Sequence, residues 1–248
     1  MIFTIMLDFN DLFTLLMIPH ILGDFYFQSN IMASKKRNEL KWVVIHSFIY
    51  GIVTLLFYGL IFKTFNYYFL LLLIIAHALI DFFKYCFFSN SCSVGTFIFD
   101  QLLHLLTIFI IAFYSYDNGC IPVFKTYLMR MFAVVNYSHK DLFSIFLKLL
   151  LLHKPTNIFI SLFMKPYKID DTDAENDDDI KAGRIIGTLE RIIMMFFIDI
   201  NQYSSIGLVL TAKSIARYDK ISKKQNFAEY YLLGTLLSTI SILVISLI

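Results

Sequence analysis

Apolar positions in this chain come in long unbroken runs and not in alternation. Four of them fill the first half, roughly Leu12 to Ile31, Trp42 to Phe62, Tyr67 to Phe88 and Thr96 to Tyr114. Each is close to the length of about 20 mostly apolar residues that a helix needs to cross a bilayer. They are apolar all round, unlike the short alternating segments of a membrane β-barrel. Tyr230 to Ile248 reads as a last span, and Ile185 to Ile200 as a shorter one that contains Glu190 and Arg191. From Pro122 to Pro166 the charges of Lys125, Arg130, Lys140, Asp141, Lys148 and Lys154, with His139 and His153, are scattered among apolar residues. That pattern predicts amphipathic or interfacial helices, with Leu142 to Leu152 as a candidate re-entrant segment. His139 and His153 are read there as ordinary surface histidines. Asp170 to Asp179 holds seven carboxylates in ten residues and reads as a solvated loop. Its alternating acids suggest a calcium loop only faintly, because the turn glycine and the closing glutamate are missing.

The predicted architecture is therefore all-α, a polytopic transmembrane helix bundle with about six spans and interfacial amphipathic helices. Residues 1–115 form a four-helix core, 116–184 an amphipathic region with the acidic loop, and 185–248 the last membrane helices with a basic stretch. Lys35, Lys36, Arg37 and Lys41 cluster between the first two spans, which places that loop in the cytoplasm. A second basic stretch, Lys213 to Lys224, falls on the same side if residues 185–200 cross. Asp8 and Asp11, where a cleaved signal peptide would carry basic residues, predict a retained first span.

Composition reinforces this picture. The chain is 58% hydrophobic and 16% charged, against about 25% charged in an ordinary soluble domain. One soluble core of 248 residues could not bury that much apolar surface, so the expected surroundings are a lipid bilayer and the expected location the cell membrane, with several passes. Three cysteines, Cys86, Cys92 and Cys120, make no disulfide framework. A net charge of +2 is too small to imply nucleic acid.

Against that apolar background a few titratable residues stand out. Span one contains His20 and Asp24, then Gln28; span three contains His77 and Asp81, then Lys84; span four contains Asp100, Gln101 and His104; span two adds His46. In three helices a histidine and an aspartate are four residues apart, which stacks both on one face. An aspartate at a helix centre costs at least about 2.5–3.5 kcal/mol in a membrane, so several together require a reason. The motif His-x-x-x-Asp-Phe occurs at His20–Phe25 and at His77–Phe82, and a histidine follows in the next span 26 and 27 residues later. Span pairs one-two and three-four thus read as parallel copies about an axis along the membrane normal. With the orientation above, all seven side chains fall at one level in the cytoplasmic half.

Imidazole and carboxylate ligands from facing helices are how bundles hold divalent first-row metals. The expected metal ligands are His20, Asp24, His46, His77, Asp81, Asp100 and His104, and the cofactor is zinc, manganese or iron. Asp24, Asp81 and Asp100 are also the candidate catalytic proton acceptors. Gln28, Lys35, Lys84 and Gln101, with Arg191, Lys213 and Arg217 further along, are candidates for substrate binding. Lys213 and Arg217 share a helix face that suits a phosphate or an anionic lipid headgroup, although plain positive-inside topology is the favoured explanation. Gly183-x-x-x-Gly187 reads as a small-residue helix contact. The competing reading of the whole His/Asp set is that polar residues merely satisfy one another and hold the bundle together.

The segments His20-x-x-x-Asp24-Phe25-x-x-Gln28, His46, His77-x-x-x-Asp81-Phe82-x-Lys84 and Asp100-Gln101-x-x-His104 resemble a family of bacterial integral-membrane proteins catalogued only as a domain of unknown function. The resemblance covers roughly residues 12–115, with Gly187 to Arg191 and Ala212 to Arg217 looking like extensions found in longer members. That family is distantly similar to membrane-bound metal-dependent hydrolases, which implies an expected activity of metal-assisted hydrolysis on a phosphate ester or lipid-linked phosphate. The alternatives are transport of a divalent cation or protons, and a non-catalytic membrane component that recruits a cytosolic partner. A transporter needs polar residues in the outer half as well, and Ile52 to Leu60 and Leu105 to Phe113 are apolar apart from Thr54, Tyr58 and Thr107.

Overall fold

The computed structural model describes residues 7–88, 93–135, 138–167 and 177–248. Most of the acidic stretch from Asp170 lies outside the described residues, and with it both the solvated-loop and the calcium-loop readings. The described chain is almost entirely helical, and it divides into two compact units, one ending at Leu147 and the other running from Lys148 to Ile248.

In the first unit, helix α1 spans Phe9–Ile21 and continues into a wider π-helical turn at Leu22–Tyr26; α2 (Asn30–Lys35), α3 (Leu40–Ile61), α4 (Tyr67–Phe88) and α5 (Val94–Asp117) follow. Helix α1 starts at Asp8, whose side chain accepts from the Asp11 amide while the Asp11 carboxylate accepts from the Asp8 amide. This reciprocal pairing satisfies two amides that the first turn would otherwise leave open. Lys140 donates to the same Asp8 carboxylate at 2.6 Å and, as the leading cause, holds its pKa below the usual value. Helix α1 is buried on nearly every side, from Leu12 through Ile21. Helices pack as neighbours in the order α1, α3, α4, α5 and back to α1. Two copies of a helix pair related by a twofold axis would give that same order.

Helices α3, α4 and α5 bury only one face. Phe48, Leu56, Leu79, Leu106 and Phe113 are all more than half exposed. So much large apolar surface is unusual on a soluble molecule. Among the described residues five helices are long and apolar enough to cross a membrane: Leu40–Ile61, Tyr67–Phe88, Val94–Asp117, His139–Tyr167 (α7 with its terminal 3-10 turn) and Gln225–Ser246.

Three expectations change here. The first apolar run is not one long span: α1 ends in the π turn, and a break after Tyr26 separates it from α2. Between Pro122 and Pro166, in place of separate interfacial helices, the chain forms the short α6 (Thr126–Val135) and then the continuous 26-residue α7 (His139–Met164). Helix α7 keeps a spanning hydropathy because His139, Lys140 and Asp141 gather in its first turn. His139 is no surface histidine either: its side chain is 11% exposed, 3.7 Å from Asp11 and against the rings of Phe124 and Phe132. The chain also forms a small antiparallel pairing that the sequence pattern does not predict, β1 (Phe62–Thr64) with β2 (Val123–Phe124). Its strands stack Phe62 on Phe124 at 5.0 Å, and both rings are buried.

The second unit holds the remainder of α7 with α8 (Asp177–Asp199), α9 (Tyr203–Ile215), α10 (Tyr218–Lys223) and α11 (Gln225–Ser246). Its apolar core joins Leu152, Met194, Met195, Ile242 and Ile245. Helix α8, which contains the short crossing expected over 185–200, is not among the five apolar helices; Arg184, Glu190 and Arg191 lower its hydropathy. It stops where Asn201 takes a left-handed backbone (φ 58°) and the Gln202 amide reaches back to the Phe197 carbonyl at 2.7 Å. Asparagine tolerates that conformation better than other residues with a side chain.

Candidate metal centre

Each helix of the first bundle sends titratable side chains to the same interior point. His20 and Asp24 come from α1 and its π turn, His46 from α3, His77 and Asp81 from α4, and Asp100 and His104 from α5; all seven are buried. Asp24 lies at the hub. One of its oxygens is 2.8 Å from His77 Nε2 and 3.1 Å from His46 Nε2, and the other is 4.0 Å from His20 Nε2. Asp81 Oδ2 lies 3.3 Å from His46 Nε2 and 3.8 Å from His77 Nδ1. The rings of His77 and His104 are 4.6 Å apart, and those of His20 and His104 are 5.0 Å apart and stacked.

Candidate ligand atoms fall into three overlapping triads, His20–Asp24–His77, His46–His77–Asp81 and Asp81–Asp100–His104, each within 4.8 Å. Asp81 and His77 each belong to two of them. Every one of the four imidazoles keeps a buried ring nitrogen with no hydrogen-bond partner among the described residues: Nδ1 of His20, His46 and His77, and Nε2 of His104. A buried polar atom left unpaired is costly.

Two ammonium groups reach this interior. Lys84 Nζ lies 2.5 Å from Asp100 Oδ2, and Lys36 Nζ is 2.8 and 3.0 Å from the two oxygens of Asp81. Burial pulls the Lys36 ammonium toward neutrality, but Asp81 and then Asp24 outweigh that and hold its pKa above the ordinary lysine value. Gln101 donates to Asp24 at 3.4 Å. Gln28 lies just past the π turn, its side-chain oxygen buried and without a hydrogen-bond partner among the described residues. Among the described residues three carboxylates face two ammonium groups, a formal surplus of one negative charge before any imidazole is counted.

Residues 12–133 match the family model described as Protein of unknown function (DUF3307). The DUF3307 stretch opens in α1 and closes in α6, so the whole cluster lies within it. No curated protein and no solved structure matches the chain. The match names no activity, and nothing in these comparisons supports the likeness to metal-dependent hydrolases.

Within the DUF3307 stretch the structure adds residues that spacing does not reveal. Lys36, not Lys35, enters the cluster; Lys35 instead lies over the Trp42 ring at 5.1 Å. Tyr50 is fully buried and stacks on His77 with ring centroids 3.6 Å apart and planes 15° from parallel. Its position four residues after His46 on α3 is the available signal, since that spacing shares a helix face. The π turn brings Gly23 against this ring: a Cβ there would sit 2.7 Å from Tyr50 Cδ2. Tyr50 is itself stacked on His77, so Gly23→Ala is expected to cost about 1–3 kcal/mol by overpacking, read as a lowered thermal midpoint in detergent. Arg191, Lys213 and Arg217 belong to the second unit, not to the cluster. A Cβ added at Gly183 would meet nothing within 4 Å, so no close helix contact forms at that end of Gly183-x-x-x-Gly187.

Proposed function

We propose that the buried His/Asp cluster holds a divalent first-row metal, zinc, manganese or iron, and that the protein is a multi-pass cell-membrane hydrolase acting on a phosphate ester or a lipid-linked phosphate. The observation that carries this reading is the convergence of four buried imidazoles, each with an unpartnered ring nitrogen, on three buried carboxylates that outnumber the two ammonium groups beside them. Buried charge without compensation is strongly disfavoured, and a cation held by imidazole and carboxylate removes the penalty. A structural network of polar contacts has no need of that surplus.

His20, His46, His77 and His104 would be ligands, together with Asp24 and with Asp81 or Asp100. A divalent metal there would lower the pKa of a bound water toward 7 and polarise a phosphoryl oxygen. Lys36 is committed to Asp81, donating to both of its oxygens. Lys84, whose side chain is 27% exposed, is the more open of the two cations and is placed to meet an anionic substrate next to Asp100. Gln101 bridges Asp24 and Asp100 and would orient both carboxylates.

Metal analysis of the purified full-length protein tests this reading. The wild type is expected to retain a stoichiometric transition metal, and His77→Ala and Asp81→Ala to lose most of it, since each residue belongs to two of the three triads. Metal content that is absent in the wild type, or unaltered in both variants, refutes the assignment.

A further inference from the structure

The second unit forms a half-open cavity of about 580 Å³ walled by α7, α8, α9 and α11. It has no part in the His/Asp cluster. Arg191 lines it and is only 2% exposed. Its guanidinium is held by neutral oxygens: the Leu152 carbonyl at 2.9 Å, Asn157 Oδ1 at 2.6 Å, Thr188 Oγ1 at 3.2 Å and Ser238 Oγ at 3.4 Å. Among the described residues no carboxylate pairs with it. Its neighbour Glu190 is taken by Lys213 at 2.5 Å. Arg217 also lines the cavity, 6.0 Å from the centre of the Tyr231 ring and with no carboxylate partner among the described residues.

With Lys165 and Arg184 at its edge, the lining carries, among the described residues, five cations and the carboxylate of Glu190. Lys213 lies in the last turn of α9, whereas Arg217 falls in the break between α9 and α10, so the two do not share a helix face as the spacing predicts, yet both line this one cavity. A buried arginine fixed in place but not neutralised is the arrangement that recognises phosphate or carboxylate oxygens. An independent observation points the same way: the Tyr231 hydroxyl, on the cavity wall, is buried and lacks a hydrogen-bond partner among the described residues. Glycines keep the space open. A Cβ on Gly183 would meet nothing within 4 Å, and one on Gly187 would touch Arg191 Nη1 at 3.5 Å. The rest of the lining includes Ile160, Met164, Ile186 and Phe227, which suits an apolar tail.

We infer that this cavity is a binding site for a phosphate group, recognised by Arg191, Lys213 and Arg217 with the Tyr231 hydroxyl. Several cations and a neutral donor converging on one space match the multiple acceptor oxygens and the charge of a phosphate better than those of a carboxylate. The phosphate is either free or the headgroup of an anionic lipid whose chain lies along the apolar wall.

The test uses the full-length protein in detergent, titrated separately with sodium phosphate, phosphatidic acid and phosphatidylcholine, and followed by thermal unfolding and native mass spectrometry. Phosphatidic acid is expected to bind at least about tenfold more tightly than phosphatidylcholine, the scale of one charge-assisted hydrogen bond. Arg217→Gln removes a cation without stranding a carboxylate, and Gly183→Leu adds bulk to the lining at a position where a Cβ meets nothing within 4 Å. Each is expected to abolish the preference while unfolding near the wild-type temperature in the absence of ligand. Stabilisation by phosphate as well as by the lipid assigns the free ion as the source, and stabilisation by phosphatidic acid alone assigns the lipid. Equal binding of the two lipids with no effect of phosphate overturns the inference. So does an undiminished preference in both variants.

Discussion

Asp24→Asn is expected to strip the bundle of its metal while leaving the metal-free protein folded. The carboxylate meets His77 Nε2 at 2.8 Å, His46 Nε2 at 3.1 Å and Gln101 at 3.4 Å, and the amide has nearly the same shape. What changes is charge. The cluster goes from one surplus negative charge to neutrality, and one acceptor oxygen becomes a donor facing imidazoles. Removing even an outer partner of a metal ligand costs about 10–100-fold in affinity, so the loss of a direct ligand should be at least that large. Without metal, the variant should unfold at or above the wild-type temperature, because the uncompensated buried charge is gone. If Asp24 only held helices together, the opposite would be seen: a large loss of stability and no change in metal content. Paired measurements of metal content and of thermal unfolding in chelator separate the two outcomes.

How much of this is readable from the residues alone depends on whether a feature repeats along the chain. His20 with Asp24, His77 with Asp81 and Asp100 with His104 share helical spacing, and an apolar helix fixes what faces its neighbours, so those pairs can be named from the sequence. Tyr50 obeys the same spacing from His46 but carries no charge, and one aromatic among 27 Phe and 15 Tyr residues draws no attention. Lys36 is not legible. It lies beyond the last turn of α2, and only the path of the loop decides that it, not Lys35, turns toward Asp81. The π turn at Leu22–Tyr26 is equally hidden, because the close approach it makes, Gly23 against the Tyr50 ring, is a tertiary contact. Such bulges recur at functional sites. Strands of three and two residues are too short to show any period, so β1 and β2 leave no trace in the pattern. Charge density alone misleads over helix α7. Its polar residues are positioned as well as counted: Lys148 reaches the Ser246 carbonyl at 3.4 Å, and Thr156 bonds back to the Leu151 carbonyl at 2.7 Å.

Lys36→Met turns the charge argument around. Its ammonium lies 2.8 and 3.0 Å from the Asp81 oxygens, and the Asp81 side chain has no exposed surface. Breaking a buried pair by removing one partner costs about 3–5 kcal/mol, because the remaining charge is stranded. The methionine fills much of the same volume, so packing contributes little to the loss. In the variant the cluster carries two surplus negative charges in place of one, and Asp81 gains reason to bind a cation directly. A large drop in thermal midpoint is therefore expected in chelator, with most of it recovered when zinc or manganese is added; the wild type should show a smaller response to the same addition. Binding to the folded state alone stabilises by mass action, so the size of the recovery reports affinity for the metal. A drop that metal does not reverse would mean that Asp81 pairs with Lys36 for structure only, and it would remove Asp81 from the ligand set.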